Sequence, residues 1–230
     1  MVYTGGSSSC QLSGRHSYRV ESGGRFSEEL RAVLGRPPTR PELDAFSKYL
    51  SLLLRWNRVH PLTGYHEREQ IREKLFLDSL LFLQFVPRPD CRVLDLGSGA
   101  GIPGIPMKIV CPTLRMVLVE ARRRRVSFLN ALVRELMLDG IRVIGARAEV
   151  VLEEIPELAE SFDIVVARAF GPPAQAAQTA LRFLKIGGTF VASGPPLQKR
   201  WQTPLSGTCR ITVSPKSRAP RRFFVLTKSS

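Results

Sequence analysis

The stretch DLGSGAGIPGIP, residues 95–106, restricts the possible folds of this chain more than any other segment. It follows a short β-rich run, CRVL, and precedes an apolar segment, which is typical of the turn between a strand and a helix. The glycines of this turn permit positive φ and let a ligand approach the backbone closely. A strand, a glycine loop and a helix in this order indicate a parallel sheet that binds its ligand at the carboxyl ends of its strands.

The chain after this loop continues to alternate β-rich and helical segments. We predict strands at 91–97, 115–120, 141–147, 162–169 and 189–193, with helices at 121–138 and about 174–185, the latter ended by Gly187–Gly188. Two more strands, 209–214 and 223–228, have no helix between them, so we expect an antiparallel pair at the end of the sheet. The fold class is therefore α/β, with a mostly parallel seven-stranded sheet and helices on both faces.

The first 88 residues have a different pattern. Residues 1–25 are rich in Ser and Gly, and we expect them to be disordered. Residues 26–88 form a predicted helical region, with helices at 26–35, 39–59 and 66–86 and with Thr39 and Pro41 at the start of the second. We expect residues 89–230 to form one α/β domain.

Charge is distributed unevenly along the chain. The formal net charge is +14, and the final 40 residues contain eight bases and no acid. Such a tail favours a polyanionic partner, nucleic acid or an anionic membrane surface, over a merely solubilising role. The four cysteines form no C-x-x-C pair, which argues against a zinc site or disulfides and favours a cytoplasmic protein. The longest apolar run, 75–86, is too short to span a bilayer.

The glycine loop fits two ligands. Gly99, Gly101 and Gly104 match the dinucleotide pattern G-x-G-x-x-G, whereas Gly97, Gly99 and Gly101 form G-x-G-x-G after Asp95. A pyrophosphate needs backbone N–H donors, which the prolines of the loop lack, and the Asp95 carboxylate would repel it. S-adenosylmethionine (SAM) carries an ammonium and a sulfonium, which a carboxylate favours. We therefore prefer SAM, and a dinucleotide or a turn without a ligand stays an alternative.

Glu120 ends the second predicted strand, 19 residues after Gly101. An acid at this place can accept hydrogen bonds from both ribose hydroxyls of either ligand. Glu120 therefore supports a nucleoside-containing ligand without discriminating between the two.

The segment VLDLGSGAGIPGIPMKIVCPTLRMVLVEARRRRVSFLNALVREL, residues 93–136, resembles the central block of a known family. That family is the bacterial 16S ribosomal RNA methyltransferase G family, also called glucose-inhibited division protein B, and the resemblance extends over roughly residues 40–193. It implies a Rossmann-like class I SAM-dependent methyltransferase fold and methyl transfer from SAM to guanine N7 of 16S ribosomal RNA. It also implies SAM contacts at Gly97, Ile102, Ala148, Glu149 and Arg168, to which we add Asp95, Gly99, Gly101 and Glu120 as candidate cofactor-binding residues.

The sequence departs from the family pattern at three places. Pro61 replaces the usual Asn of N-L-T, Leu75 replaces a His, and Ser193 begins a stretch that lacks the usual Lys. The SAM-binding half is intact, so the departures fall where we expect the substrate. A diverged paralogue that binds SAM or RNA without turnover, or a SAM methyltransferase with another substrate, therefore stays an alternative.

We assign no catalytic base, because guanine N7 carries a lone pair and no hydrogen. Phosphate contacts are predicted for Arg122, Arg123, Arg124 and Arg125 at a helix start and for Lys216, Arg218, Arg221 and Arg222 in the tail, with a solvated surface as the alternative. Phe223 and Phe224 fit base stacking less well than the core of a strand. The expected partner is ribosomal RNA in the small ribosomal subunit, and we expect a monomer that requires no metal or membrane.

Overall fold

The computed structural model describes residues 24–168, 173–193, 208–212 and 221–229. Seven strands form one sheet in the order β3-β2-β1-β4-β5-β7-β6. They are β1 (Arg92–Leu96), β2 (Arg115–Val119), β3 (Ile141–Ile144), β4 (Phe162–Arg168), β5 (Leu184–Ser193), β6 (Thr208–Thr212) and β7 (Arg221–Thr227). The first five pair in parallel, and β7 runs antiparallel to both β5 and β6, which confirms the predicted sheet.

Helices cover both faces of the sheet. They are α1 (Gly24–Leu34), α2 (Arg40–Asn57), α3 (Arg68–Ile71), α4 (Asp78–Leu80), α5 (Gly104–Val110), α6 (Arg123–Glu135), α7 (Val151–Glu154) and α8 (Pro173–Phe183). One core cluster joins one sheet face to α1, α2, α5 and α6, and the other joins the opposite face to α7 and α8. Because side chains alternate along a strand, Val93 of β1 belongs to the first cluster and Leu94 to the second.

The predicted start of α2 is confirmed in detail. The Thr39 side chain accepts a hydrogen bond from the Glu42 N–H, and the Glu42 carboxylate accepts one from the Thr39 N–H. This reciprocal capping box satisfies two donors that a helix start leaves without partners. The preceding helix, α1, begins at Gly24, two residues before its predicted start, and residues 1–23 lie outside the described part of the chain.

The third helical segment is not the single helix that its sequence predicts. A π-helical stretch, Arg72–Leu77, separates α3 from α4, and a 3-10 turn, Leu81–Phe85, follows α4. Apolar residues occur all around this segment, so periodicity alone did not reveal the irregularity. Within it, the Ser79 hydroxyl donates to the Leu75 carbonyl, a contact that often bends helices.

The pair Gly187–Gly188, which we expected to end a helix, lies inside β5. Helix α8 ends earlier, at Phe183, and Leu184 already pairs with Phe162 of β4. A Cβ on Gly188 would lie 3.0 Å from the Phe162 carbonyl oxygen, so the glycine permits the two strands to approach each other. Across the described residues, no helix is both long and apolar enough to cross a membrane.

Candidate cofactor site

The glycine loop lies at the carboxyl end of β1, and its backbone N–H groups bond within the protein. Gly97 and Ser98 both donate to the Val119 carbonyl, at 2.9 and 3.0 Å. Gly101 and Ile102 both donate to the Ser98 carbonyl, at 2.7 and 2.9 Å. These bonds tie the loop to the end of β2 and close it into a tight turn.

Two carboxylates take further N–H groups of the loop. The Gly99 N–H donates to Glu120 Oε2 at 2.9 Å, and the Gly104 N–H donates to Asp95 Oδ2 at 3.0 Å. Pro103 has no N–H to offer. A pyrophosphate site needs several N–H groups that point at the ligand, and those of Gly97–Gly99, Gly101, Ile102 and Gly104 are already used on protein acceptors.

Asp95 is fully buried beneath the loop. Its Oδ2 has the Gly104 partner, whereas its Oδ1 is buried with no hydrogen-bond partner. Burial raises the pKa of Asp95 to about 7, the nearby charge of Glu120 acts in the same direction, and the hydrogen bond from the Gly104 N–H opposes them. A cation bound beside the loop would stabilise the ionised form of this carboxyl group.

The loop glycines divide into two kinds. A Cβ on Gly104 would lie 2.7 Å from Asp95 Oδ2, and one on Gly101 would lie 2.7 Å from an Ile105 side-chain atom, so these two glycines serve close packing. Gly97 and Gly99 have φ of 70° and 57°, and a Cβ on Gly99 would meet nothing nearer than the Arg125 guanidinium at 3.5 Å. Of the loop glycines whose Cβ environment is described, Gly99 alone leaves open space beside the backbone.

Glu120 organises the other side of this space. Glu120 is 5% exposed, and its two carboxylate oxygens accept from the N–H groups of Gly99 and Arg122. The Arg125 guanidinium lies 3.7 Å from the same carboxylate. Arg125 therefore differs from the neighbouring Arg122, Arg123 and Arg124, whose side chains are exposed.

The remaining candidate cofactor residues are Ile102 of the glycine loop and Ala148 and Glu149, which follow β3. Ile102 and Ala148 are buried, at 7% and 3% exposure. The Glu149 side chain is exposed, and its backbone carbonyl accepts from Arg182 at 3.2 Å.

Arg168, at the end of β4, belongs to a buried charge cluster that the sequence did not predict. Its guanidinium donates to the Lys74 carbonyl at 2.6 Å and lies 3.8 Å from Asp78 Oδ2. Arg221 of β7 donates to the same Asp78 oxygen. Asp78 therefore joins the N-terminal helical region to the ends of two strands.

The charges of this cluster do not balance, because two guanidinium groups share one carboxylate. Burial raises the pKa of Asp78, and the charges of Arg221 and Arg168 oppose that rise. Burial lowers the pKa of Arg168, yet an arginine keeps its proton in proteins. The buried Nη1 of Arg168 has no hydrogen-bond partner, so it has N–H donors left for an anionic ligand atom.

Two departures from the family pattern lie beside this cluster. Leu75 follows Lys74 directly and is 5% exposed, so an apolar side chain fills the place of the usual His. Ser193, at the end of β5, pairs with Arg168 in the sheet register. The residues after Ser193 lie outside the described part of the chain, and Pro61 lies in an exposed loop whose next two N–H groups donate to Asn57.

Tyr49 of α2 is a further residue that sequence reasoning missed. It is fully buried, its ring packs 4.7 Å from that of Phe76, and its hydroxyl donates to the Ala100 carbonyl of the glycine loop. Burial raises its pKa well above the ordinary value, so the phenol keeps its proton for this bond. A tyrosine on the apolar face of a predicted helix was the available signal, because a buried hydroxyl needs a partner.

The predicted RNA contacts of the tail have different environments. Arg221 is engaged with Asp78, and Arg222 follows it on β7. Lys216 and Arg218 lie outside the described residues. Phe223 and Phe224 are 1% exposed and belong to the core, which confirms the core interpretation of this pair.

Comparisons with known proteins agree on one family. The family described as rRNA small subunit methyltransferase G matches residues 42–195. The chain is 42% identical over 151 residues to ribosomal RNA small subunit methyltransferase G of Caldanaerobacter subterraneus subsp. tengcongensis, a match that covers 65% of this chain and 63% of that protein. It is 38% identical over 167 residues to the protein of the same name from Lachnoclostridium phytofermentans, covering 72% of this chain and 68% of that one. The match thus spans less than two thirds of the first relative.

Solved structures share the fold at low sequence identity. A SAM dependent methyltransferase from Aquifex aeolicus superposes with a TM-score of 0.52 at 15% identity, covering 68% of this chain and 93% of that one. A point mutant of MtNAS gives a TM-score of 0.53 at 16% identity, covering 79% of this chain and 71% of that one. At such identities the likeness establishes the architecture of the sheet and its helices alone.

Proposed function

The chain belongs to the rRNA small subunit methyltransferase G family, and from this premise we propose that it transfers a methyl group from SAM to guanine N7 of 16S ribosomal RNA. The single observation that carries the choice of cofactor is the hydrogen bonding of the glycine loop. Most of its N–H groups are engaged by protein acceptors, and the Asp95 Oδ1 atom is buried without a partner. Such a loop fits a cationic ligand better than a phosphate.

The residues around the loop fit the two ends of SAM. Glu120 can keep its bonds to backbone N–H groups and also accept bonds from ribose hydroxyls, since each carboxylate oxygen accepts more than one hydrogen bond. Asp95 favours positive charge beside the loop, and the unpartnered Nη1 of Arg168 can donate to a carboxylate. When bound, SAM supplies a methyl group that its sulfonium has activated.

The protein's part in the reaction is to position the two reactants and to exclude water. Guanine N7 attacks with its own lone pair, so no residue has to remove a proton first. Orientation of this kind can supply several kcal/mol of the barrier reduction. The absence of an assigned base is therefore consistent with transfer to N7.

The substrate proposal rests on the family and on the charge of the chain. Exposed arginines at the start of α6 and bases of the tail, Lys216 and Arg218 among them, are the proposed phosphate contacts. Because Arg221 is engaged with Asp78, a test of the tail has to leave Arg221 in place. We further propose that the protein acts as a monomer in the cytoplasm.

The test of this function has a cofactor arm and a substrate arm. Calorimetry is expected to show SAM binding by the parent and none by Gly97→Val, which places a branched side chain at a φ of 70°; circular dichroism checks that the variant folds. NAD binding without SAM binding would contradict the cofactor. Labelled SAM with unmethylated small subunits is expected to give N7-methylguanine in 16S RNA, located by mass mapping.

A diverged paralogue without turnover stays the second candidate. The observation that favours it is the buried Leu75 beside the Lys74–Arg168 contact, where the family has a His. SAM binding without methyl transfer to subunits or to naked RNA would select this alternative.

A further inference from the structure

Three neighbouring strands each place an arginine near their amino ends. Arg92 of β1 is the register partner of Arg115 of β2, and Arg142 of β3 is the partner of Val117 of β2. Register partners lie on the same face of a sheet, and so do residues two apart on one strand. All three arginines therefore lie on one face, on strands about 4.8 Å apart.

A shallow, open pocket of about 370 Å³ lies between these side chains. The three arginines line it together with Gly140 and Val117. Arg115 and Arg142 are exposed, and the Arg92 guanidinium stacks on the Phe162 ring at 5.0 Å, which fixes its position. We call this pocket, with Arg92, Arg115 and Arg142, the arginine groove.

The positive charge of the arginine groove is not neutralised within the described part of the chain. None of its arginines has an ion pair with a described acid. The carboxylate of Asp163, whose Oδ2 accepts from the Arg92 N–H, is already paired with Arg88 and Lys185. Even with the exposed Asp139 beside Gly140, the groove keeps a net positive charge.

The arginine groove is separate from the cofactor site. It lies at the amino ends of β1–β3, whereas the glycine loop follows their carboxyl ends. The five residues of β1 put about 16 Å between these two edges of the sheet. A ligand of the groove thus cannot be SAM in the glycine loop.

We propose that the arginine groove binds a phosphodiester segment of the RNA substrate, as a second contact away from the guanine that is methylated. The proposal rests on the proposed function. Guanidinium groups match phosphate oxygens with paired N–H donors, and backbone phosphates contribute affinity without reading sequence. Three contacts on one sheet face would fix the orientation of the protein on its substrate.

The test compares RNA binding by two triple variants of the full chain. Arg92→Ser/Arg115→Ser/Arg142→Ser removes the groove, and Arg31→Ser/Arg55→Ser/Arg134→Ser removes the same charge from exposed helix positions. The probe is a 16S RNA fragment, titrated at several salt concentrations. The salt slope is the slope of the logarithm of the RNA binding constant against the logarithm of the salt concentration. Loss of three phosphate contacts is expected to lower the magnitude of this slope by about 2 and the RNA affinity at 0.1 M salt by about 100-fold. The control triple is expected to keep the parent slope.

A third variant guards against unfolding. Arg92→Lys/Arg115→Lys/Arg142→Lys keeps the charge and is expected to restore most of the slope, and SAM affinity reports on the fold of every variant. The proposal would be overturned if the Ser triple kept the salt slope of the parent, or if the control triple lost as much RNA affinity as the Ser triple. It would also be overturned if millimolar inorganic phosphate saturated the arginine groove without any effect on RNA binding. Methyl transfer by the parent is scored separately, so its failure would count against the proposed function and leave the groove measurement intact.

Discussion

Replacing Asp95 with Asn should change how the stability of this protein depends on pH. The pKa of Asp95 is about 7 in the folded chain against an ordinary 3.8. Between these values the folded chain holds a proton that the unfolded chain releases, so rising pH favours unfolding. The stabilisation is complete below about pH 4 and is lost as pH rises through about 7. At 1.36 kcal/mol per pKa unit, it amounts to about 4 kcal/mol.

Asn stays neutral at every pH, and its amide oxygen can still accept from Gly104. Relative to the parent, the free energy of unfolding of Asp95→Asn is expected to rise by about 2 kcal/mol between pH 5 and 7. Urea denaturation at three pH values measures it. Asp163→Asn is the control, because the pKa of Asp163 is lowered and its stabilisation is lost only below about pH 4. If the difference in unfolding free energy between variant and parent is independent of pH for both variants, Asp95 is ionised in the folded protein and the argument fails.

The same titration should appear in cofactor binding. A cation beside Asp95 lowers the pKa of this carboxyl group, so SAM binding at pH 5 should release a proton. SAM affinity is then expected to rise by up to tenfold per pH unit between pH 5 and 7 and to be flat in Asp95→Asn. This range lies below the titration of an α-amino group. Calorimetry in two buffers of different ionisation enthalpy counts the protons, and a count of zero at pH 5 would refute the role of Asp95.

Other residues of the site give simpler expectations. Gly104→Ala should destabilise the fold by about 1–3 kcal/mol, because the new Cβ would lie 2.7 Å from a Leu118 methyl. Gly24→Ala is the control: its Cβ meets nothing within 4 Å, so this change should be neutral or stabilising. Thermal melts compare the two variants. Asp78→Ala leaves two buried guanidinium groups without their carboxylate and should lower stability by about 3–5 kcal/mol, measured in urea. Tyr49→Phe removes the donor to the loop carbonyl and should lower stability by about 1–3 kcal/mol, and a melting temperature equal to the parent's would contradict that bond.

Local patterns made most of the fold predictable. The alternation of apolar runs with amphipathic segments predicts the parallel sheet. Because no helical segment separates β6 from β7, the sequence also predicts that these two strands pair antiparallel. Thr39 and Pro41 locate a helix start correctly because the residues that begin a helix are neighbours in sequence. Gly187 and Gly188 were misinterpreted for the opposite reason. Gly188 is required by the close approach of β4, a segment distant in sequence. The residues next to Gly187 and Gly188 do not indicate how close β4 lies to β5.

The candidate site was predictable in its composition and not in its bonding. The spacing of Asp95, Gly99 and Glu120 indicates that acids surround a glycine loop at the strand ends. It does not indicate that Gly99 donates to Glu120 or that one Asp95 oxygen lacks a partner. Those facts depend on burial, and burial is what sets the pKa of Asp95.

Surface charge was the least predictable property. The sequence shows only charged residues that are neighbours along the chain, whereas folding brings together charged residues that are far apart in sequence. Arg221 sits in a basic run and was assigned to RNA, yet its guanidinium meets Asp78, 143 residues away. The arginines of the arginine groove are separated by more than 20 residues in sequence, so no window of composition finds them, and strand register alone brings them onto one face. A run of bases in the sequence therefore predicts too much positive charge at the surface when some of its members form ion pairs with distant acids. Arginines far apart in the sequence predict too little, because a parallel sheet can bring them together on one face.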